Sequence, residues 1–210
     1  MTSKPPVIAL VLGSGPNATE CRDWARAPFS SVVAINNAWR LRKDWTHLVC
    51  PDDFPQDRRP TELRTDQTLV TSDQFVPAQN RYGGFVYAGG TMAFTAGYWA
   101  LATLRPDVLA FWGCDMVYPK SGRTHFYGYG QADPLRPDVT LRNLEAKSAR
   151  LWLMAARDGC QVVNLSRNIH SRLLFPVADR ANLVDLVRQT DPVDLSAVTE
   201  VMTEEARLDY

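Results

Sequence analysis

The chain reads as a series of short apolar blocks, each closed by glycine, asparagine or aspartate. Val7–Leu12 (VIALVL) is continuous and rich in β-branched residues, the pattern of a strand covered on both faces rather than one. It ends in Gly13-Ser-Gly-Pro-Asn17, and a mixed polar and apolar segment of helical spacing runs on through Ala27. Ser31–Ile35 (SVVAI) repeats the strand pattern and stops at Asn36-Asn37, and Thr46–Cys50 (THLVC) does so before Pro51-Asp-Asp-Phe54. A strand, a tight turn and a crossing segment form the repeating unit.

From Pro55 to Gln79 the residues are mostly Arg, Asp, Thr, Gln and Pro, so an exposed connection is expected there, with one strand at Thr68–Thr71. Ala88-Gly-Gly-Thr91 then opens a helix whose bulky residues cover most of its circumference, with Thr91 as N-cap and Arg105-Pro106 as its end. Val108–Trp112 (VLAFW) is a further buried strand, and the Gly-, Pro- and Tyr-rich stretch after it has no period, which predicts a loop or lid near 118–138. Leu141–Arg157 is amphipathic, with Leu144, Leu151, Trp152 and Ala155 on its inner face, and Asp158-Gly159 separates it from a last strand at Gln161–Leu165. A helix from Val177 to about Gln189 and an acidic helix or tail over 191–210 complete the expectation.

Strands alternating with helices predict an α/β fold: a doubly wound, mostly parallel sheet with right-handed crossovers and helices on both faces. Residues 1–190 form one domain in this reading. Ligands bind outside the carboxyl ends of such strands, and each polar cluster named above stands at one of those ends.

Charge narrows the partner. Among 210 residues, 23 basic and 23 acidic side chains balance to zero, a field that draws in neither nucleic acid nor an anionic membrane surface. A small molecule is the expected ligand. The opening residues lack the apolar region of a secretory signal, and no apolar run approaches the ~18 residues of a membrane span, so a cytoplasmic location is expected. Cys21, Cys50, Cys114 and Cys160 lie far apart with no Cys-x-x-Cys pair, which points to neither a disulfide framework nor a zinc site.

The candidate chemistry follows the strand ends. Gly13, Ser14 and Gly15 permit a close backbone approach, and the amides after them suit a phosphate, although the turn is neither a Walker A loop nor G-x-G-x-x-G and also reads as a plain connection. Asn36 and Asn37 can pair with phosphate, base or sugar hydroxyls, or cap a turn. Gly90 and Thr91 form a second cradle or an ordinary capped turn. Asp115 and Tyr118 follow the fifth strand, where an acid accepts from hydroxyls and a phenol donates to phosphate, or both bond local backbone. His125, in Thr124-His-Phe-Tyr-Gly128, is the best candidate for proton transfer near neutral pH, unless this stretch is only a loop packed on its own aromatics. Asp52-Asp53 is similar to an acidic metal-diphosphate motif but lacks the Asp-x-Asp spacing, and no metal ligand is assigned. His47 and His170 are expected to be structural, and Cys114 and Cys160 to be buried hydrophobes.

In order and spacing, Gly13-Ser-Gly-Pro-Asn17, Val32-Val-Ala-Ile-Asn36-Asn37-Ala-Trp39, Gly89-Gly-Thr-Met92, Gly113-Cys-Asp-Met-Val-Tyr118, Thr124-His-Phe-Tyr-Gly128 and Val163-Asn-Leu-Ser166 resemble the blocks of bacterial family 42 sialyltransferases and the related methanogen-type hydroxymethylpterin pyrophosphokinases. The resemblance spans most of residues 7 to 175. It implies nucleotide roles for Gly13, Ser14, Gly15, Asn36, Asn37, Gly90, Thr91 and Tyr118, a CMP-sugar donor, and transfer without a metal. The family's catalytic-base His aligns with Tyr129, with His125 a few residues upstream, and the region 54–84 is shorter than the family's acceptor-recognising insertion.

The expectation is thus a sialyltransferase-like glycosyltransferase that moves a sugar from a nucleotide to a hydroxyl acceptor, a glycan or another alcohol. His125 is its base, with Tyr129 contributing, and no cofactor beyond the nucleotide-sugar donor is required. Tyr118 and the glycine-turn backbone stabilise the leaving phosphate. Two alternatives stand beside it: a magnesium-dependent pyrophosphokinase using Asp52, Asp53 and Asp115, and a catalytically inactive nucleotide-binding module.

Overall fold

A computed structural model describes residues 4–117, 122–128 and 143–188. Within them, six parallel strands form one sheet in the order β4-β3-β2-β1-β5-β6: β1 Ile8–Leu12, β2 Ser31–Ile35, β3 His47–Val49, β4 Thr68–Val70, β5 Val108–Trp112 and β6 Gln161–Asn164. The chain steps outward from β1 to β4, returns across the sheet and continues from β5 on the other side of β1. The turn after β1 and the turn after β5 therefore leave a crevice between them, at the point where the winding reverses.

The continuous apolar runs are explained by a core on each face. Ala9, Val11, Val33, Val49, Leu109 and Phe111 pack beneath α1 (Ser72–Asn80), α3 (Met92–Leu104) and α4 (Leu144–Arg157). Ile8, Leu10, Leu12, Val32, Ala34 and Leu48 face the other way, toward a 3₁₀ helix at Pro16–Asp23, another at Asn36–Leu41, and α5 (Leu183–Arg188). The doubly wound, Rossmann-like α/β architecture is as the sequence predicts.

The local departures have physical reasons. Helical spacing after Asn17 yields a 3₁₀ helix with Pro16 at its start, of which only Ala18 and Cys21 are buried. The stretch expected to be an exposed connection contains α1, closed by a Thr71–Gln74 capping box and buried through Phe75, Ala78 and Gln79 despite Pro77. Thr91 caps α3 as expected, accepting from Phe94 N at 3.3 Å, and Arg105 ends it in the left-handed conformation. The amphipathic helix expected from Leu141 is described from Leu144, with Asn143 as its cap. Val177 pairs with Asn164 as an isolated bridge rather than starting a helix, and helical structure resumes at Arg180. The short helix α2 (Phe85–Ala88) sits between α1 and α3. The tail over 191–210 lies outside the described residues. No helix among those described is long and apolar enough to cross a membrane.

Candidate functional site

Parallel strands deliver their carboxyl ends to one edge, and the turns after β1, β2, β5 and β6 meet there around an open cleft of about 810 Å³. Gly13, Ser14, Gly15, Asn36, Thr91, Asp115 and His125 all line it. Asn37 and Gly90 do not. Asn36 takes a left-handed conformation (φ 49°) that starts the 3₁₀ turn, and this puts Asn37 on the turn's inner side with Ala38 and Leu41. Gly90, at φ 90°, supplies the reversal that brings Thr91 to the cleft wall. Tyr118 and Tyr129 lie outside the described residues, as does most of the expected lid.

The glycine turn is tied to the neighbouring strand by its own amides. Gly13 N and Gly15 N donate to Trp112 O and Gly113 O, both at 2.8 Å, so these two amides are engaged with β5 and its turn rather than open to a phosphate. A Cβ on Gly13 would stand 2.6 Å from Cys114 Sγ and press on the Gly113 carbonyl. The first glycine is required by main-chain packing between the two turns. Pro16, at the start of the following helix, has no N–H to offer.

Asp115 is buried at the cleft floor and ties three turns together. Its Oδ2 accepts from Ser166 Oγ at 2.7 Å and from Asn17 Nδ2 at 3.1 Å, and its Oδ1 from Asn164 Nδ2 at 3.4 Å. Asn17 Nδ2 also reaches Ser166 Oγ at 3.2 Å. The carboxylate is held by neutral donors and fixes the ends of β1, β5 and β6 relative to one another. Asp52 and Asp53 take no part: both are exposed, neither lines the cleft, and Asp52 accepts from Ser72 Oγ and, at 3.4 Å, Ser72 N at the start of α1. Among the described residues, no group of three or more His, Cys, Asp or Glu is arranged to hold a metal ion.

The stretch 122–128 lies across the glycine turn, with Phe126 N donating to Ser14 O at 3.0 Å and a tight reversal between His125 and Gly128. His125 stacks on Tyr127 with centroids 4.9 Å apart, and its Nδ1 is 2.9 Å from Thr124 Oγ1. Burial lowers its pKa below the ordinary 6.5, which favours the neutral ring. The tautomer that donates from Nδ1 to Thr124 carries its lone pair on Nε2.

Two polar atoms of cleft-lining residues are buried without a hydrogen-bond partner among the described residues: Asn36 Oδ1 and Trp112 Nε1. Burying such atoms unpaired costs about 1–3 kcal/mol each, and in a native fold they call for an explanation. Beside Trp112, the Trp24 ring lies 4.9 Å away and carries the Arg180 guanidinium 5.2 Å above its own centroid. Asn17, Trp24, Trp112, Ser166 and Arg180 were not singled out from sequence. Asn17 and Ser166 had a visible signal, polar residues just past β1 and β6; Trp112, inside an apolar strand, had none. The buried cysteines behave as small hydrophobes, and burial raises the pKa of Cys21 to about 11 and pushes Cys114 and Cys160 up as well.

No family model, curated protein or solved structure matches the chain. What it does is read from the site itself.

Proposed function

We propose that the crevice binds a nucleotide sugar and that the protein transfers the sugar to a hydroxyl acceptor, with His125 as the base. One observation carries the reading: turns separated by more than a hundred residues of sequence bring Ser14, Asn36, Thr91, Asp115 and His125 around a single cleft of about 810 Å³, where the sheet reverses its winding. Such a volume suits a nucleotide-sized ligand. The unpaired Asn36 carboxamide oxygen can accept from a ribose hydroxyl or a base amino group. In the transfer step the acceptor oxygen attacks the anomeric carbon, the bond from that carbon to the nucleotide phosphate breaks with its electron pair on the phosphate, and the acceptor proton passes to neutral His125. The magnesium-dependent alternative gains no support from the donor set, because Asp52 and Asp53 stand outside the cleft.

The test is transfer from CMP-, UDP- and GDP-sugars to a panel of alcohol and glycan acceptors, without metal. His125→Ala is expected to keep nucleotide affinity and to lower turnover at least a hundredfold. The acid limb of the rate profile is expected below pH 6.5, since burial lowers the folded His125 pKa. Unchanged turnover in the variant removes His125 from the mechanism. Nucleotide binding without any transfer favours an inactive nucleotide-binding module.

A further inference from the structure

A nucleotide brings at least one phosphate, yet the amides of Gly13 and Gly15 in the first turn are occupied and Pro16 has none. Three positions of that turn thus give it no amide, and donors elsewhere in the cleft become candidates. On the side formed by the 3₁₀ helix Pro16–Asp23 and the segment after β6, the structure offers two. Trp112, only 6% exposed, is a cleft-lining residue whose indole N–H is buried and meets no acceptor among the described residues. Arg180 is half-buried, also lines the cleft and has no carboxylate partner among the described residues, whereas its neighbour Asp179 is taken by Arg167 at 2.7 Å.

We propose that Arg180 and the Trp112 indole N–H form the phosphate subsite of this cleft, with the Trp24 ring as the part that carries them together. The proposal rests on the nucleotide reading given above and names the group it would hold. The Trp24 ring is tilted 52° against Trp112 at 4.9 Å and bears the Arg180 guanidinium on its face. In the free protein the indole nitrogen is closed off from solvent. For an oxygen to reach it the side chains covering it must move aside, and the half-buried Trp24 ring, packed against Trp112 and carrying Arg180, is placed to couple that opening to the guanidinium. Charge-assisted bonds from a guanidinium to phosphate are among the stronger polar contacts, and the phosphate also gives the orphaned indole N–H its missing acceptor.

The experiment is titration calorimetry of the wild type, Arg180→Gln and Trp112→Phe with the four nucleoside monophosphates, their nucleosides, and inorganic phosphate. Wild type is expected to bind the best monophosphate at least tenfold more tightly than its nucleoside, with a change in tryptophan emission. Arg180→Gln, a change at the cleft surface, should cut that preference to about twofold while nucleoside affinity stays the same. Trp112→Phe, checked for native circular dichroism, should move in the same direction. A monophosphate preference that persists in both variants overturns the subsite and leaves the nucleotide reading standing. If nucleosides fail to bind but inorganic phosphate binds wild type and not Arg180→Gln, the subsite stands and the nucleotide reading falls. No binding of any probe to wild type overturns both.

Discussion

Asp115→Asn is the sharpest test of how the cleft is built, because the substitution keeps shape and removes only an acceptor and a charge. Whichever way the new amide is turned, its NH₂ faces a donor. On one side stand Ser166 Oγ and Asn17 Nδ2, at 2.7 and 3.1 Å from the present carboxylate; on the other is Asn164 Nδ2 at 3.4 Å. The better orientation keeps oxygen toward Ser166 and Asn17, and converts two charge-assisted bonds into neutral ones at about 1 kcal/mol each. Opposing the Asn164 amide adds about 1–2 kcal/mol, and relief of a buried charge offsets about the same amount. The net loss is about 2 kcal/mol, which for a chain of this size lowers Tm by about 4–8 °C. Urea unfolding at pH 7 should show a lower midpoint with an unchanged m value. Asn17→Ala combined with Asp115→Asn should then cost less than the two single losses summed. An Asp115→Asn protein as stable as wild type would refute the idea that this carboxylate ties the three turns together.

Other consequences can be checked alongside it. Gly13→Ala should destabilise by at least about 2 kcal/mol in the same urea assay, since its Cβ meets main chain that cannot yield, while Ser14→Ala, half-buried beside it, should change stability little. Glu145 is held by both nitrogens of the Arg172 fork at 2.6 and 2.7 Å, and this hydrogen bonding lowers its pKa from 4.5. Its stabilisation is therefore complete above about pH 4.5 and is lost as pH falls through the lower folded value, so Glu145→Gln should flatten the acid limb of a stability profile measured from pH 6 to 3.

The sheet was legible because strands covered on both faces cannot alternate polar and apolar residues: VIALVL, SVVAI and VLAFW have no other ready use in a chain with no membrane-length apolar run. The helix α1 was obscured by its own composition. Pro77 and several polar residues hide a short buried stripe of Phe75, Ala78 and Gln79, although Thr71-x-x-Gln74 carried the capping signal. Much of the cleft could be located because parallel topology sends every strand end to one edge, so polar residues there were placed without knowing any contact. Side-chain direction was beyond reach. Nothing in a tandem Asn36-Asn37 says which residue faces the cleft until the left-handed turn at Asn36 separates them, and a tryptophan closing an apolar strand gives no sign that its N–H will lack a partner.

The main-chain contact between Gly13 and Gly113 gives the crevice a property that no single residue possesses. With amides of one turn bonded to carbonyls across the gap and no side chain between them, neither turn can yield alone. Pressure on either wall is felt at the other, as in a hinge with no play.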